Sequence, residues 1–553
     1  MNIKLLLVVS FLFVFLANFS QAQTNPRYLV LFKDKAGTPY SISRPTEFLS
    51  AKAIARRSKQ KIAITENDFP VNPAYITALK QTGATIIYSS KWFNGTLVEA
   101  SASQLAAIKN LSFYKGIEQN HALANLTTPS PGLRMSSTET VSETAADLDY
   151  GRMREQLALM GADHLHQEGF QGENMLVAIF DAGFNRANEL EYLKPLFSEN
   201  RILDTHDFIS RNSNVYDDDS HGLNVLSIIG AYQPGTMIGA AFKANFVLYR
   251  TENVLMETPY EEVTWLLAAE RADSIGVDVI NSSLGYNTFE GEFNTSAYNY
   301  TYQNLDGKTT IISRAARIAT RKGMLVVNSA GNEGNKAWKY ITAPADVDSV
   351  LSVGATTLDK SYALFSSVGP NAIGQQKPDV SAVGSGTVFG NSNGNVTTGN
   401  GTSYSAPLIA GLATILWQAF PNLTAQEIIQ ALKKSGHLAA IPDNLLGFGV
   451  PNAASAEEII KNGIVLGSEP EPLDAIVLSP NPVQQDLTLT LPASLLGKKS
   501  TVSIISQSGK KLWESQVILS KTLPLQTNNL TAGLYLVKVD VLNRSRILKF
   551  IKQ

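Results

Sequence analysis

Three polar side chains fall where they could act together. Asp181 closes the apolar run Val177-Ala-Ile-Phe180 and begins Asp181-Ala-Gly183. His221 opens His221-Gly-Leu-Asn-Val-Leu226, where a helix is expected to start. Ser403 lies in the glycine-rich bend Gly399-Asn-Gly-Thr-Ser-Tyr-Ser-Ala-Pro407. The helix expected after it carries Leu408, Leu412 and Leu416 at i, i+4, i+8 spacing, with Pro407 expected in its first turn. Alone, each residue reads as structural: a strand-end carboxylate, a lone histidine, a serine helix cap. Together they supply a nucleophile, a general base and a carboxylate to orient the base, the set needed for acyl transfer. The alternative chain order, Ser before Asp before His on a Gly-x-Ser-x-Gly elbow, fails because position 405 is Ser.

The elements around these residues have to hold them in place. From about residue 150 to 460, short apolar runs alternate with helical stretches, the pattern of a parallel α/β sheet with helices on both faces. Met175–Phe180, Val277–Ile280 and Met324–Val327 are near-continuous apolar runs, as doubly covered strands should be. Residues 27 to about 124 read as a small α+β unit. Its strands are expected at Arg27–Phe32, Ala84–Ser89 and Gly95–Ala100, with helices at Pro73–Thr82 and Ser103–Asn110. The last 80 or so residues, with Leu487-Thr-Leu-Thr-Leu491 and Leu534-Tyr-Leu-Val-Lys-Val539, read as a small β-sandwich.

At the N-terminus, Lys4 precedes the apolar run Leu5–Ala17, and small residues follow at Ser20 and Ala22. That is a secretory leader, too short for the ~20-residue helix that spans a bilayer. No later segment is apolar for long enough to anchor the mature chain. The expected division is therefore 1–22 signal peptide, 23–124 α+β unit, 125–149 Thr/Ser/Pro/Glu-rich linker, 150–462 α/β unit, 463–472 linker and 473–553 β-sandwich.

The 553-residue chain contains no cysteine, which excludes disulfides, thiolate zinc sites and a thiol nucleophile. Its net charge of -2 argues against a nucleic-acid partner. The average hides opposed parts. Residues 24–143 hold 14 basic and 8 acidic side chains, whereas residues 144–462 hold 21 and 34.

The Asp, His and Ser segments resemble the signatures of the subtilase family of serine proteases, over about 300 residues. Asn281-Ser-Ser-Leu-Gly285 resembles the family's cleft strand, and Asn328-Ser-Ala-Gly-Asn332-Glu-Gly334 its oxyanion segment. Phe365-Ser-Ser-Val-Gly369 and Lys377-Pro-Asp-Val380 resemble its run-up to the serine. The resemblance implies a subtilisin-like fold and a secreted serine endopeptidase with Asp181, His221 and Ser403 as triad. It makes Asn332 an oxyanion donor, and Ser283, Leu284, Gly285, Ala330 and Gly331 walls for an extended protein or peptide substrate. No cofactor is required for that chemistry. The resemblance also allows a structural calcium ion, with Asp217-Asp-Asp219 the candidate carboxylates and a solvated acidic loop the favoured reading. This chain departs from the pattern at Ala182, Leu223, Tyr404 and Ser405. Those departures keep one alternative, a catalytically inactive surface-binding or adhesion protein on the same fold.

The flanking parts have resemblances of their own. Ser90-Lys-Trp-Phe-Asn-Gly95 and Val98–Leu105 resemble subtilisin-type propeptides, which implies an intramolecular inhibitor cut away in the linker. A basic propeptide against an acidic protease unit predicts inhibition that weakens at high salt. Leu478-Ser-Pro-Asn-Pro482, Ser508-Gly-Lys510 and Thr531-Ala-Gly-Leu-Tyr-Leu536 resemble the C-terminal sorting domain of type IX secretion. That implies the type IX machinery as partner and a secreted or cell-surface location.

Overall fold

The computed structural model describes residues 25–124, 148–463, 476–492, 495–507, 510–541 and 544–553. The expected leader, nearly all of the first linker, most of the second, and Ser508 and Gly509 lie outside the described residues. The chain forms two units, residues 1–462 and 463–553.

The first unit begins with a four-stranded antiparallel sheet. Its strands are β1 (Arg27–Phe32), β2 (Thr85–Ser90), β3 (Gly95–Glu99) and β4 (Tyr114–Ile117), in the order β2-β3-β1-β4. Helices α1 (Ala51–Lys59), α2 (Pro73–Gln81) and α3 (Ala102–Lys109) accompany it. Strand alternation splits its side chains between two cores. Val30, Phe32 and Val98 pack with Leu79 of α2 and Ile108 of α3. Their neighbours Leu29 and Leu97, paired across β1 and β3, enter the core of the larger α/β part instead.

That α/β part is built on seven parallel strands. They are β5 (Leu176–Asp181), β6 (Ile202–Asp207), β9 (Asn245–Arg250), β10 (Val279–Ser282), β11 (Leu325–Ser329), β12 (Leu351–Thr356) and β13 (Val380–Val383). The short strands β7 (Tyr232–Gln233) and β8 (Met237–Ile238) form a separate hairpin. The large sheet runs β13-β12-β11-β10-β5-β9-β6, so β11, β10 and β5 are adjacent. Its helices, in chain order, include α4 (Arg154–Met160), α5 (Ala162–Gln167), α6 (Lys194–Ser198), α7 (His221–Gly230), α8 (Tyr260–Ile275), α9 (Ile311–Arg321) and α10 (Thr402–Ala419). Helices α11 (Ala425–Lys434) and α12 (Ala453–Lys461) complete the unit. Ala178, Phe180, Val247, Tyr249, Ile280 and Val326 share one core with α8 and α9. The alternate side chains of those strands face the other layer, where α7 and α10 pack.

The helix carrying Ser403 differs from expectation in one respect. It starts at Thr402, so Pro407 stands inside it and not in its first turn. Among the described residues, no helix is long and apolar enough to cross a membrane.

The second unit holds a three-stranded sheet of β16 (Val477–Ser479), β17 (Asp486–Thr490) and β20 (Thr522–Gln526). Its other sheet, in the order β19-β18-β21-β22, contains β18 (Lys499–Ser506), β19 (Lys511–Ile518), β21 (Gly533–Val541) and β22 (Arg544–Lys552). Leu487 and Leu489 from one sheet meet Val502, Ile504, Val537 and Val539 from the other in a single core. Every strand pair is antiparallel.

Candidate active site

The residues singled out above gather at the carboxyl ends of β5, β10 and β11, the edge where open α/β sheets bind ligands. Asp181 is the last residue of β5 and is fully buried. His221 is the first residue of α7. Two glycines let that helix start close to β5. A Cβ on Gly222 would lie 2.5 Å from the Gly183 carbonyl and 2.8 Å from Asp181 Cβ, so no other residue fits there without a shift. The approach brings His221 Nδ1 to 2.7 Å from Asp181 Oδ1. The same oxygen accepts the Ala182 N–H at 2.8 Å. Asp181 Oδ2 is buried with no hydrogen-bond partner, and the side chain that follows, Ala182, carries no hydroxyl.

The imidazole sits in opposed fields. Burial disfavours its charged form, but the Asp181 charge and hydrogen bond, with a further contribution from the Asp219 charge, outweigh it. The His221 pKa is raised above that of an ordinary histidine. Asp219 also fixes the helix start, its Oδ1 accepting the His221 N–H at 2.7 Å.

Ser403 is the second residue of α10, so its N–H is one of the helix's unpaired first donors. Pro407 explains an unusual pairing here. It has no N–H to give to the carbonyl four residues back, which is that of Ser403. The Ser283 hydroxyl takes over and donates to this carbonyl at 2.9 Å. In return, Ser403 Oγ donates to the Ser283 carbonyl at 3.3 Å. No hydrogen bond joins Ser403 to His221. Hydroxyl–imidazole contacts of this kind commonly tighten only when substrate arrives.

Asn332 follows β11. Its Oδ1 accepts the Thr402 N–H at 2.9 Å and the Thr402 hydroxyl at 3.0 Å. Those bonds orient the amide so that its nitrogen is left for something else. A Cβ built on Gly401 would stand 3.8 Å from both Asn332 Nδ2 and the Ser403 backbone nitrogen. Both nitrogens therefore stand beside the glycine that precedes the serine helix.

Ser283, Leu284 and Gly285 extend from β10, and Ala330 and Gly331 from β11. The two segments are tied together, because Asn328 Nδ2 donates to the Leu284 carbonyl at 3.0 Å. Thr342 stands between them. A Cβ on Gly285 would meet its hydroxyl at 2.0 Å, and one on Gly331 would meet it at 2.9 Å.

Sequence reasoning passed over two contributors. Tyr404 stacks on Phe389 at 4.4 Å and stands 5.8 Å from the His221 ring, forming a wall of the site. Its departure from the family pattern was the available signal. The second is Asp219, which appeared only as part of an acidic run. The three carboxylates of that run do not converge on a cation site. Asp217 accepts from Asn214 at 2.6 Å, Asp218 pairs with Arg250 at 2.7 Å, and Asp219 holds the His221 N–H.

The α+β part at the N-terminus docks on α8 and α9 through buried charges. Glu270 accepts the Ser90 hydroxyl at 2.5 Å and the N–H groups of Lys91 and Trp92 at 2.8 and 3.1 Å. Asp273 pairs with Arg56 at 2.6 Å, Arg57 at 2.7 Å and Lys91 at 3.3 Å. Arg57 also reaches Asp68 at 2.8 Å, and Lys322 reaches the same carboxylate at 2.5 Å.

A buried Asp–His pair and a serine at a helix start are the groups a serine hydrolase uses. The subtilase family pattern matches residues 172–449, half of the chain, and the chain belongs to that family of serine proteases. The Bacteroidota peptidase S8 propeptide domain matches residues 27–135. A secretion system C-terminal sorting domain matches residues 478–553, which marks the chain for type IX export to the cell surface or beyond. Subtilisin DY of Bacillus licheniformis is 27% identical over 281 residues, 50% of this chain and 89% of its own. Serine protease AprX of Bacillus subtilis (strain 168) is 27% identical over 315 residues, 52% of this chain and 66% of its own. Among solved structures, MycP1 from Mycobacterium smegmatis is 21% identical with a TM-score of 0.44, over 59% of this chain and 88% of its own.

Proposed function

We propose that the chain is the precursor of a secreted serine endopeptidase that cleaves proteins through a covalent acyl-enzyme. The observation that carries this reading is the 2.7 Å bond from His221 Nδ1 to Asp181 Oδ1, which presents Nε2 as the free base nitrogen. Substrate arrival turns the Ser403 hydroxyl from the Ser283 carbonyl to His221. The imidazole takes its proton as Oγ attacks the peptide carbonyl, then returns it to the leaving amine. Asp181 holds the tautomer and stabilises the imidazolium. Asn332 Nδ2 and the Ser403 N–H receive the oxyanion, a donor of this kind contributing about 3–4 kcal/mol. The substrate lies extended between Ser283–Gly285 and Ala330–Gly331, joined as an added strand.

Residues 23–124 act as the inhibitor of residues 150–462, held by Glu270 and Asp273, until the linker 125–149 is cut. Residues 473–553, beyond the linker 463–472, engage the type IX machinery after the leader 1–22 has directed export. The test is Ser403→Ala. It abolishes casein hydrolysis and labelling by a fluorophosphonate probe, and mass spectrometry finds the 125–149 segment uncut. Hydrolysis that survives the change overturns the mechanism. A wild-type chain that is secreted and folded but never labels supports the inactive-scaffold reading instead.

A further inference from the structure

Away from the Asp–His–Ser site, two helices from opposite ends of the protease unit bring three metal-ligating side chains together. His164 lies on α5, and Glu168 follows four residues later, on the same face. Glu457 comes from α12, 293 residues further along the chain. His164 Nε2 is 3.0 Å from Glu457 Oε2 and 3.6 Å from Glu168 Oε1. Among the described residues, this is the group of histidine and carboxylate ligands whose atoms all lie within 4.8 Å of one another.

We propose that His164, Glu168 and Glu457 bind one divalent transition-metal ion of the zinc type, which clamps α12, the last helix of the protease unit, to α5 near its start. Three observations carry this. The first is spacing. Zinc bound to nitrogen and oxygen at about 2.0–2.2 Å in a tetrahedron sets its ligands about 3.3–3.6 Å apart; the His164–Glu168 separation of 3.6 Å falls in that range, and the His164–Glu457 separation of 3.0 Å needs to open only slightly. The second is the division of labour on Glu457, whose side chain is 10% exposed. Lys461 Nζ binds Oε1 at 2.7 Å, while the oxygen facing His164 is Oε2. A ligating carboxylate held by its second oxygen is a common feature of metal sites. The third is rigidity. Helix α12 rests on the start of α5, where a Cβ on Gly161 would lie 3.2 Å from Asn452 Nδ2 and 3.4 Å from Ala453 Cβ. A neutral imidazole can donate from Nε2 to only one of the two carboxylates facing it; a cation satisfies all three groups at once. The donor set selects the metal. An imidazole nitrogen beside two carboxylates suits zinc and its neighbours, whereas calcium and magnesium prefer oxygen throughout. The remaining coordination position falls to water.

The experiment uses the full-length Ser403→Ala chain, which cannot digest itself. After incubation with zinc chloride and gel filtration, elemental analysis finds about one zinc per chain. His164→Gln and Glu457→Gln each reduce retention at least tenfold. Zinc at about a hundred times its dissociation constant raises the melting temperature of the protease unit by a few degrees. That rise is absent in His164→Gln, whose melting in EDTA matches that of the parent chain. The half-exposed position of His164 makes this variant safe for folding. No zinc retained by the parent chain, or retention and stabilisation undiminished in His164→Gln, overturns the proposal.

Discussion

Two polar clusters in the protease unit handle charge in opposite ways. Where the propeptide docks, Glu270 receives three donors, and Asp273 receives two arginines and a lysine. The charged groups are nine-tenths buried or more, and the carboxylates are matched. In the cleft, Asp181 uses one oxygen and leaves the other without a partner. Ser403 Oγ holds one long bond, and the Asn332 amide is held through its oxygen. Carboxylates whose partners are all in place hold what is already bound, although Arg56 Nε and Arg57 Nε in this cluster have no acceptor. An unsaturated cluster leaves groups free, and interactions made only in a transition state are the ones that accelerate a reaction.

The comparison can be broken at either cluster, and the largest effect is expected in the cleft. Asp181→Asn keeps the shape but loses the charge that orients His221, so kcat should fall by about 10⁴ while KM changes little. A fall of less than tenfold in steady-state peptide hydrolysis would show that Asp181 is not the orienting group.

The next effect belongs to the interface. Asp273→Asn leaves Arg56 and Arg57 buried beside a neutral partner; breaking a buried pair costs about 3–5 kcal/mol. The inhibition constant of separately added propeptide against the mature variant should therefore rise by at least 10². The structure also narrows the expected salt response. Buried pairs are poorly screened, so added salt should slow association and leave dissociation nearly unchanged. Stopped-flow inhibition at low and high salt separates the two rates.

The smallest effect returns to the cleft. His221 must be neutral to act as base, so activity is lost as pH falls through its pKa, which is raised mainly by Asp181 and further by Asp219. The acid limb of kcat/KM should lie above the ordinary histidine value near 6.5. Asp219→Asn can still accept the His221 N–H but removes one raising charge. The limb should move to lower pH by less than one unit in a pH-rate profile.

How much of this was legible in the sequence varies with how local the signal was. Strand β1 falls where its apolar pattern predicts, and β5 one residue later than predicted, because alternation and continuous apolar runs are local signals. Pro407 was misplaced by a few residues for the same reason. A proline near a helix start is usually in the first turn, and only the packing of α10 shows that the helix begins at Thr402. The Ser90–Gly95 segment was recognisable by its residues. That Glu270, about 180 positions away, accepts its N–H groups was not, since nothing local in the chain pairs the two. Asp219 shows the same limit: an acidic run reads as solvated until the fold sets one of its carboxylates against the His221 N–H.

The sequence by itself therefore determined the types of chemistry available: a serine with no thiol to compete, a histidine, a carboxylate, glycines where backbones must approach, and basic and acidic regions kept apart along the chain. Tertiary structure alone decided which atoms meet. The Asp181–His221 bond, the Ser283–Ser403 exchange, the Asn332–Thr402 bonds, and the His164–Glu168–Glu457 triangle all join residues far apart in the chain. Hydrogen bonds and ion pairs act over about 3 Å, and contacts between distant residues at that scale exist only once the sheet and its helices have closed around them.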